Sequence, residues 1–446
     1  MIRQMTAPLQ FFQEFRQRLL GIFTRRADAL FELMDALLLT LDPRSPVELS
    51  TSPAFRRRFA SVYDALCHGR IDHSLARELL TTAEPEDAIQ VEGHAVYAVD
   101  STIAARPDAQ TLPDRGKVYS ASQGDTVPGH QYSWLGRGIA HGQSWFAPRD
   151  MERVATATTP AAVAAAQVKR LATTVAVSLS AVIVADSHYA KRVFLAVFAE
   201  LPNVFVLVRL ACNRVLYGPP PPVTGKRPKG RPRLHGAKFK LKAPAAPECQ
   251  RLFSLGKATV RVSAWTGLHF KDLAAVVGMV VRIEFLDAAG QPLYQRPLWL
   301  FWKGPTTVTL EALCLIYLLR FGIEHFFRFA KQRLGLLIAQ TPQLAACEIW
   351  AWVVALAYTQ LLLARTVVTA QPRPWDPKTR RDPQQPVTPG QVRQAWLAFS
   401  HGLGTPACAP RPSGKAPGRT PGFKPTPREK CPVVSKQPKR VVVATA

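Results

Sequence analysis

The chain has 446 residues, with 57 Lys and Arg against 31 Asp and Glu and a formal charge of +26. That length is too great for one compact core and calls for two or three units. The charge calls for a polyanion, with DNA the first candidate beside ribosomal RNA or an anionic membrane surface, and the scattered cysteines, none in a CxxC pair, argue against a zinc site or a disulfide framework.

In chain order, Met1-Ile-Arg-Gln-Met shows no secretory pattern, so a cytoplasmic, DNA-associated protein is expected. Residues 1–90 read as helices. Apolar residues recur at three- and four-residue spacing from Phe11 to Leu41, and Asp42-Pro-Arg-Ser-Pro46 breaks the run. A second run holds Phe55-Arg-Arg-Arg58 and continues towards Leu66, and a third spans about 74–81. This small basic helical unit suits either a DNA-end reader or a packing brace.

Residues 91–210 read as strands near 94–100, 117–120, 144–147, 181–186 and 203–209, with an alanine-rich helix over 160–174. In His94-Ala-Val-Tyr-Ala-Val-Asp100-Ser-Thr102 an apolar run ends in an acid at a small polar turn. Ala181-Val-Ile-Val-Ala-Asp186-Ser-His188-Tyr189 repeats the arrangement. Ligand sites in open α/β sheets gather at such strand ends, although an Asp after a strand is often only a turn or helix cap. Gly129-His-Gln-Tyr-Ser-Trp-Leu-Gly136 reads as an aromatic turn or a lining of the site, His130 included.

Residues 211–302 interrupt this pattern. From 211 to 242 there are nine Lys and Arg and no acid. Lys226, Arg227, Lys229, Arg231 and Arg233 form a basic DNA-contact loop, and Gly230-Arg-Pro-Arg233 resembles an arginine hook for a narrow minor groove. Runs over 259–265, 276–285 and 293–302 follow and look like a small inserted sheet.

Residues 303–368 read as helical, with Gly322 a possible bend. In Tyr317-Leu-Leu-Arg320-Phe-Gly-Ile-Glu324-His-Phe-Phe-Arg328-Phe-Ala-Lys331, helical spacing gathers Tyr317, Arg320, Glu324, Arg328 and Lys331 on one stripe opposite Leu319, Phe326 and Ala330. A plain ion-pair ladder would give the same spacing. Ile349 to Arg365 approaches membrane-spanning length, but Gln360 and Arg365 interrupt it, so a buried core helix is expected rather than a membrane partner. The segment 369–446 is basic and proline-rich and reads as a disordered tail.

The spacing Tyr317-x2-Arg320-x3-Glu324-x6-Lys331, together with Asp100 and Asp186 upstream, resembles DDE transposases of bacterial insertion sequences over about 90–368. The resemblance implies an α/β fold: a ribonuclease H-like mixed sheet flanked by helices, with an inserted β domain and an N-terminal helical domain. It implies that Asp100, Asp186 and Glu324 are catalytic and hold two Mg2+ ions, with Mn2+ as substitute. In-line displacement at phosphorus develops charge on both attacking and departing oxygens, which two ions about 4 Å apart stabilise. Tyr317, Arg320, Arg328 and Lys331 would contact DNA phosphates. Trp265, Trp299 and Trp302 are the candidates for stacking on an extruded base, with core burial the stronger expectation for at least two. Ser101 departs from the pattern, since many relatives carry a second acid there.

The implied function is cut-and-paste DNA transposition: a homodimer on double-stranded transposon ends and target, cutting and then joining strands. A related nuclease without strand transfer, or an inactive transposase-derived DNA-binding protein, are the alternatives.

Overall fold

The computed structural model describes residues 6–120, 123–174, 180–222, 232–368, 387–412, 418 and 420–435. The N-terminal part holds α1 (Thr6–Gly21), β1 (Phe23–Arg25), α2 (Ala27–Leu39), α3 (Ala60–His68), β2 (Arg70–Ile71) and α4 (His73–Thr82). The single helical run expected from Phe11 to Leu41 is interrupted because β1 turns aside to pair with β2. The helix expected from Phe55 begins only at Ala60. Ahead of it, Arg56 and Arg57 both pair with Glu32, whose side chain is wholly buried.

The central sheet is built from β3 (Gln90–Val91), β4 (His94–Ala105), β5 (Gly116–Ser120), β6 (Asp125–Gly138) and β7 (Phe146–Val154). After α5 (Pro160–Thr174) come β8 (Ser180–Ala185), the short α6 (Arg192–Leu195) and β9 (Val204–Arg209). β8 runs parallel to both β4 and β9, while β4 and β6 are antiparallel, so the sheet is mixed.

Three details differ from the sequence reading. β4 does not stop at Asp100 but continues to Ala105. The segment 129–136 is not a turn: it forms most of β6, and Tyr132 and Trp134 are buried. The strand placed at 144–147 starts at Phe146 and runs on to Val154, through charged residues that are buried as ion pairs, with Asp150 bound to Arg77 and Arg170.

Within 211–302 the strands are β10 (Val215–Tyr217), β11 (Lys238–Lys240), β12 (Cys249–Leu255), β13 (Ala258–Phe270), β14 (Leu273–Leu286) and β15 (Leu298–Lys303). They are not a detached sheet. β15 pairs with β9, so they extend the central sheet into 13 strands. The chain then enters α7 (Leu310–Leu318), α8 (Phe321–Gln332), α9 (Leu344–Ala364) and α10 (Pro389–Ser400).

Strand alternation assigns the two faces of the sheet. Tyr97, Val99 and Ile183 face α5 and α6. Val96, Val182, Val184 and Leu207 face α7. On this second side Trp134 joins Phe326 of α8 and Tyr358 of α9 in one apolar cluster, which continues into Phe12, Leu30 and Leu33 of the N-terminal helices. α9 alone among the described helices is long and apolar enough to cross a membrane, and 89% of that span is buried inside the fold.

The expected disordered tail is corrected in part. Thr388 and Gln391 form a reciprocal cap at the start of α10, and Val392 and Trp396 are buried against the core. Further on, Val434 bridges to Gly116 at the edge of β5. The proline-rich composition hid this amphipathic stretch.

Candidate active site

Two acids stand side by side. Val99 pairs with Ala185 across β4 and β8, so Asp100 and Asp186 follow at the same level on neighbouring parallel strands, about 4.8 Å apart in the backbone. Both lie on the side of the sheet that faces α7 and α8. Asp100 Oδ1 accepts the Ser101 amide at 2.7 Å. Asp186 caps the turn over residues 187–189, with Oδ1 accepting the His188 amide at 2.8 Å. The capping role open to an Asp after a strand is present at Asp186.

The third acid arrives on α8. The single stripe expected from Tyr317 to Lys331 is broken: α7 ends at Leu318, and the chain turns at Leu319 and Arg320 before α8 begins. The break precedes Gly322. This corner presses on the sheet. A Cβ on Gly138 would stand 3.2 Å from Leu319 Cβ, and one on Gly322 would stand 3.2 Å from the Trp145 carbonyl. Phe326 then packs edge-on against Trp134 at 5.0 Å, and Trp134 is the cross-strand partner of Asp100. Apolar packing thereby holds the polar side of α8 over Asp100.

Arg320 ties the pieces together. Its guanidinium lies 3.0 Å from Asp100 and also pairs with Glu324. The Arg320 side chain is only 7% exposed, whereas that of Glu324 is 45% exposed. Tyr317 is also buried, so Tyr317 and Arg320 form the floor of the site rather than an outward face. Lys331 is half-buried and Arg328 is exposed.

The electrostatics follow from crowding acids in a buried place. Burial, reinforced by Asp186 and Glu324, lifts the Asp100 carboxyl to about 6, against the opposing pull of Arg320. Burial lowers the Lys331 ammonium, with Asp100 acting against that fall. Burial raises the Tyr317 hydroxyl, while Arg320 and Arg209 oppose the rise and Asp186 adds to it. Tyr189 is raised by burial and then by Asp100 and Asp186.

Residues 12–269 match the family model described as DDE superfamily endonuclease. The chain belongs to that family. The matched span includes Asp100 and Asp186 and ends before Glu324. No curated protein matches the chain.

As a DDE superfamily endonuclease the protein is of a nuclease and transposase class that acts on DNA and generally uses divalent metal ions. The residues fit such ions in donor chemistry, because oxygen ligands suit hard cations and a cation would relieve the crowding that lifts Asp100. Among the described residues no three His, Cys, Asp or Glu side chains stand together as a ready ligand set. Glu324 is held by Arg320 instead.

Other sequence candidates of this DDE endonuclease fall elsewhere. Trp265, Trp299 and Trp302, the candidates for base stacking, are all buried, in keeping with the expectation of core burial for at least two of them. Trp265 packs on Trp299 at 5.5 Å and donates to the Ala245 carbonyl at 3.0 Å, and Trp302 donates to the Pro305 carbonyl at 3.1 Å. Lys226, Arg227, Lys229 and Arg231 lie outside the described residues, and Arg233 is exposed. His130 is spent on the Pro113 carbonyl at 3.1 Å. Sequence reasoning missed Arg209, which ends β9 as the acids end their runs, and Tyr189, buried beside both aspartates. The strand-end rule that found the acids would have found Arg209.

Proposed function

We propose that the chain is a transposase that binds the ends of an insertion sequence and catalyses DNA strand cleavage and strand transfer. The observation that carries this reading is the gathering of Asp100 within β4, Asp186 just past β8, and Arg320 with Glu324 at the start of α8. Two Mg2+ ions held by Asp100, Asp186 and Glu324 would activate the attacking oxygen and stabilise the departing one.

The remaining residues position DNA. The exposed Arg328 and the half-buried Lys331 of α8 supply charge to backbone phosphates of the transposon end. Arg320 holds Asp100 and Glu324 at fixed separation and adds positive charge beneath the phosphate. Tyr317 fixes Arg320 from below. Water cuts one strand, and the freed 3′-hydroxyl attacks a second phosphodiester, so no covalent protein intermediate is formed. One subunit carries one set of acids and an element has two ends, so two copies act together on double-stranded DNA.

The test uses pre-cut and uncut ends taken from inverted repeats flanking the coding region, with Mg2+ or Mn2+. Cleavage of uncut ends and joining of pre-cut ends are expected. Cleavage without joining would reduce the reading to a nuclease, and neither activity would leave a DNA-binding protein only.

A further inference from the structure

We infer that the groove beside Arg209 carries the single-stranded DNA flanking the cut, an inference that rests on the proposed cleavage at Asp100 and Asp186. Ala185 is paired with Val99 on one side and Val208 on the other. Asp100, Asp186 and Arg209 are therefore level on three neighbouring parallel strands and project to the same face. Arg209 reaches the site electrostatically, since it opposes the rise of the Tyr317 hydroxyl. Yet Arg209 is exposed, and among the described residues Asp100 takes Arg320 as its partner instead. Arg209 has no ion pair among the described residues, so it is available to a phosphate.

The surface continues outward from Arg209 in the right chemistry. A cavity of about 270 Å3 is lined by Arg209, Glu284, Tyr294, Gln295 and Arg296, among others. Its one carboxylate, Glu284, is already matched by Arg282 at 3.1 Å and Arg261 at 3.8 Å, so Arg209 and Arg296 set the local charge. Arg296 is exposed. Tyr294 is 66% exposed and meets Phe285 only edge-on at 5.9 Å, which leaves a ring face open. The cavity is smaller than a typical pocket for a drug-sized ligand, so it has room for about one nucleotide unit of a strand and not for a duplex. Two exposed guanidinium groups and an exposed aromatic ring lining one cavity match the chemistry by which single strands are held.

The test compares a short labelled duplex, blunt or with a single-stranded extension of roughly eight nucleotides, by fluorescence anisotropy. The unmodified protein is expected to bind the extended duplex more tightly. In the Arg209→Ala/Arg296→Ala double variant the ratio of extended to blunt affinity should fall about tenfold, towards one. Tyr294→Ala should lower the same ratio, and Tyr294→Phe should preserve it. No gain from the extension in the unmodified protein, or equal losses on both probes in the variants, overturns the groove assignment. Cleavage of the blunt duplex is scored in parallel. A protein that cuts yet gains nothing from the extension keeps its proposed function and loses only the groove.

Discussion

The Arg320 guanidinium sits 3.0 Å from the Asp100 carboxylate, joining residues 220 positions apart in the chain. Arg320 also binds Glu324, four residues further along its own helix. One buried cation thus bridges the sheet and α8, and it stands between two of the three acids assigned to catalysis.

Replacing Glu324 with Gln should reduce DNA cleavage in Mg2+ to background while leaving DNA-end binding largely intact, because Glu324 is half exposed and carries no core packing. Gel-shift and cleavage assays on the same preparation check this. Cleavage at the unmodified rate would remove Glu324 from the proposed mechanism.

Replacing Lys331 or Arg320 with Ala should weaken the DNA-end complex by about 1–3 kcal/mol each, as expected for charged hydrogen bonds. Arg320→Ala should in addition raise the Asp100 carboxyl further, since Arg320 opposes that rise. Titration by gel shift tests the first outcome, and the pH dependence of cleavage tests the second.

Asp100 gives stability a defined slope with pH. Its carboxyl rises from the ordinary 3.8 to about 6 in the fold, with burial as the leading cause. The folded chain therefore binds more protons than the unfolded chain between those values, and stability from this group falls as pH rises through them. In metal-free buffer Asp100→Asn should flatten this slope. Urea unfolding at pH 4 and pH 7.5 with chelator measures it. A steeper slope in the variant would contradict the assignment.

Trp302→Ala should destabilise the fold by roughly 3–5 kcal/mol, because the indole is buried and its N–H binds the Pro305 carbonyl. Trp302→Phe should cost less. Thermal unfolding distinguishes this core role from a DNA role, which would leave stability unchanged and lower only DNA affinity.

The parts legible in the sequence were those where local pattern and tertiary environment agree. The apolar, β-branched runs before Asp100 and Asp186 are buried strands, and the alanine-rich 160–174 is α5. Where tertiary contacts overrode local pattern, the reading failed. Gly129 and Gly136 resemble turn residues, yet they lie in β6, where close approach by neighbours excludes side chains. Charged Arg149, Asp150 and Arg153 disguised β7, because their ion-pair partners come from distant segments such as Arg77 and Glu348. The helical stripe at 317–331 gathered Tyr317, Arg320 and Glu324 correctly in space but placed Tyr317 and Arg320 at the surface. Periodicity reports which residues share a side, and only the corner at Leu319 and Arg320 decides how deep that side lies.

The link between Val434 and Gly116 has a consequence for synthesis. β5 lies at one end of the strand order, and until the last part of the chain leaves the ribosome its outer backbone groups have no cover from Val434. A growing chain therefore carries an open sheet border for most of its production, of the kind that invites pairing with another molecule. Versions shortened before residue 434 should accumulate as aggregates even where their catalytic residues are untouched.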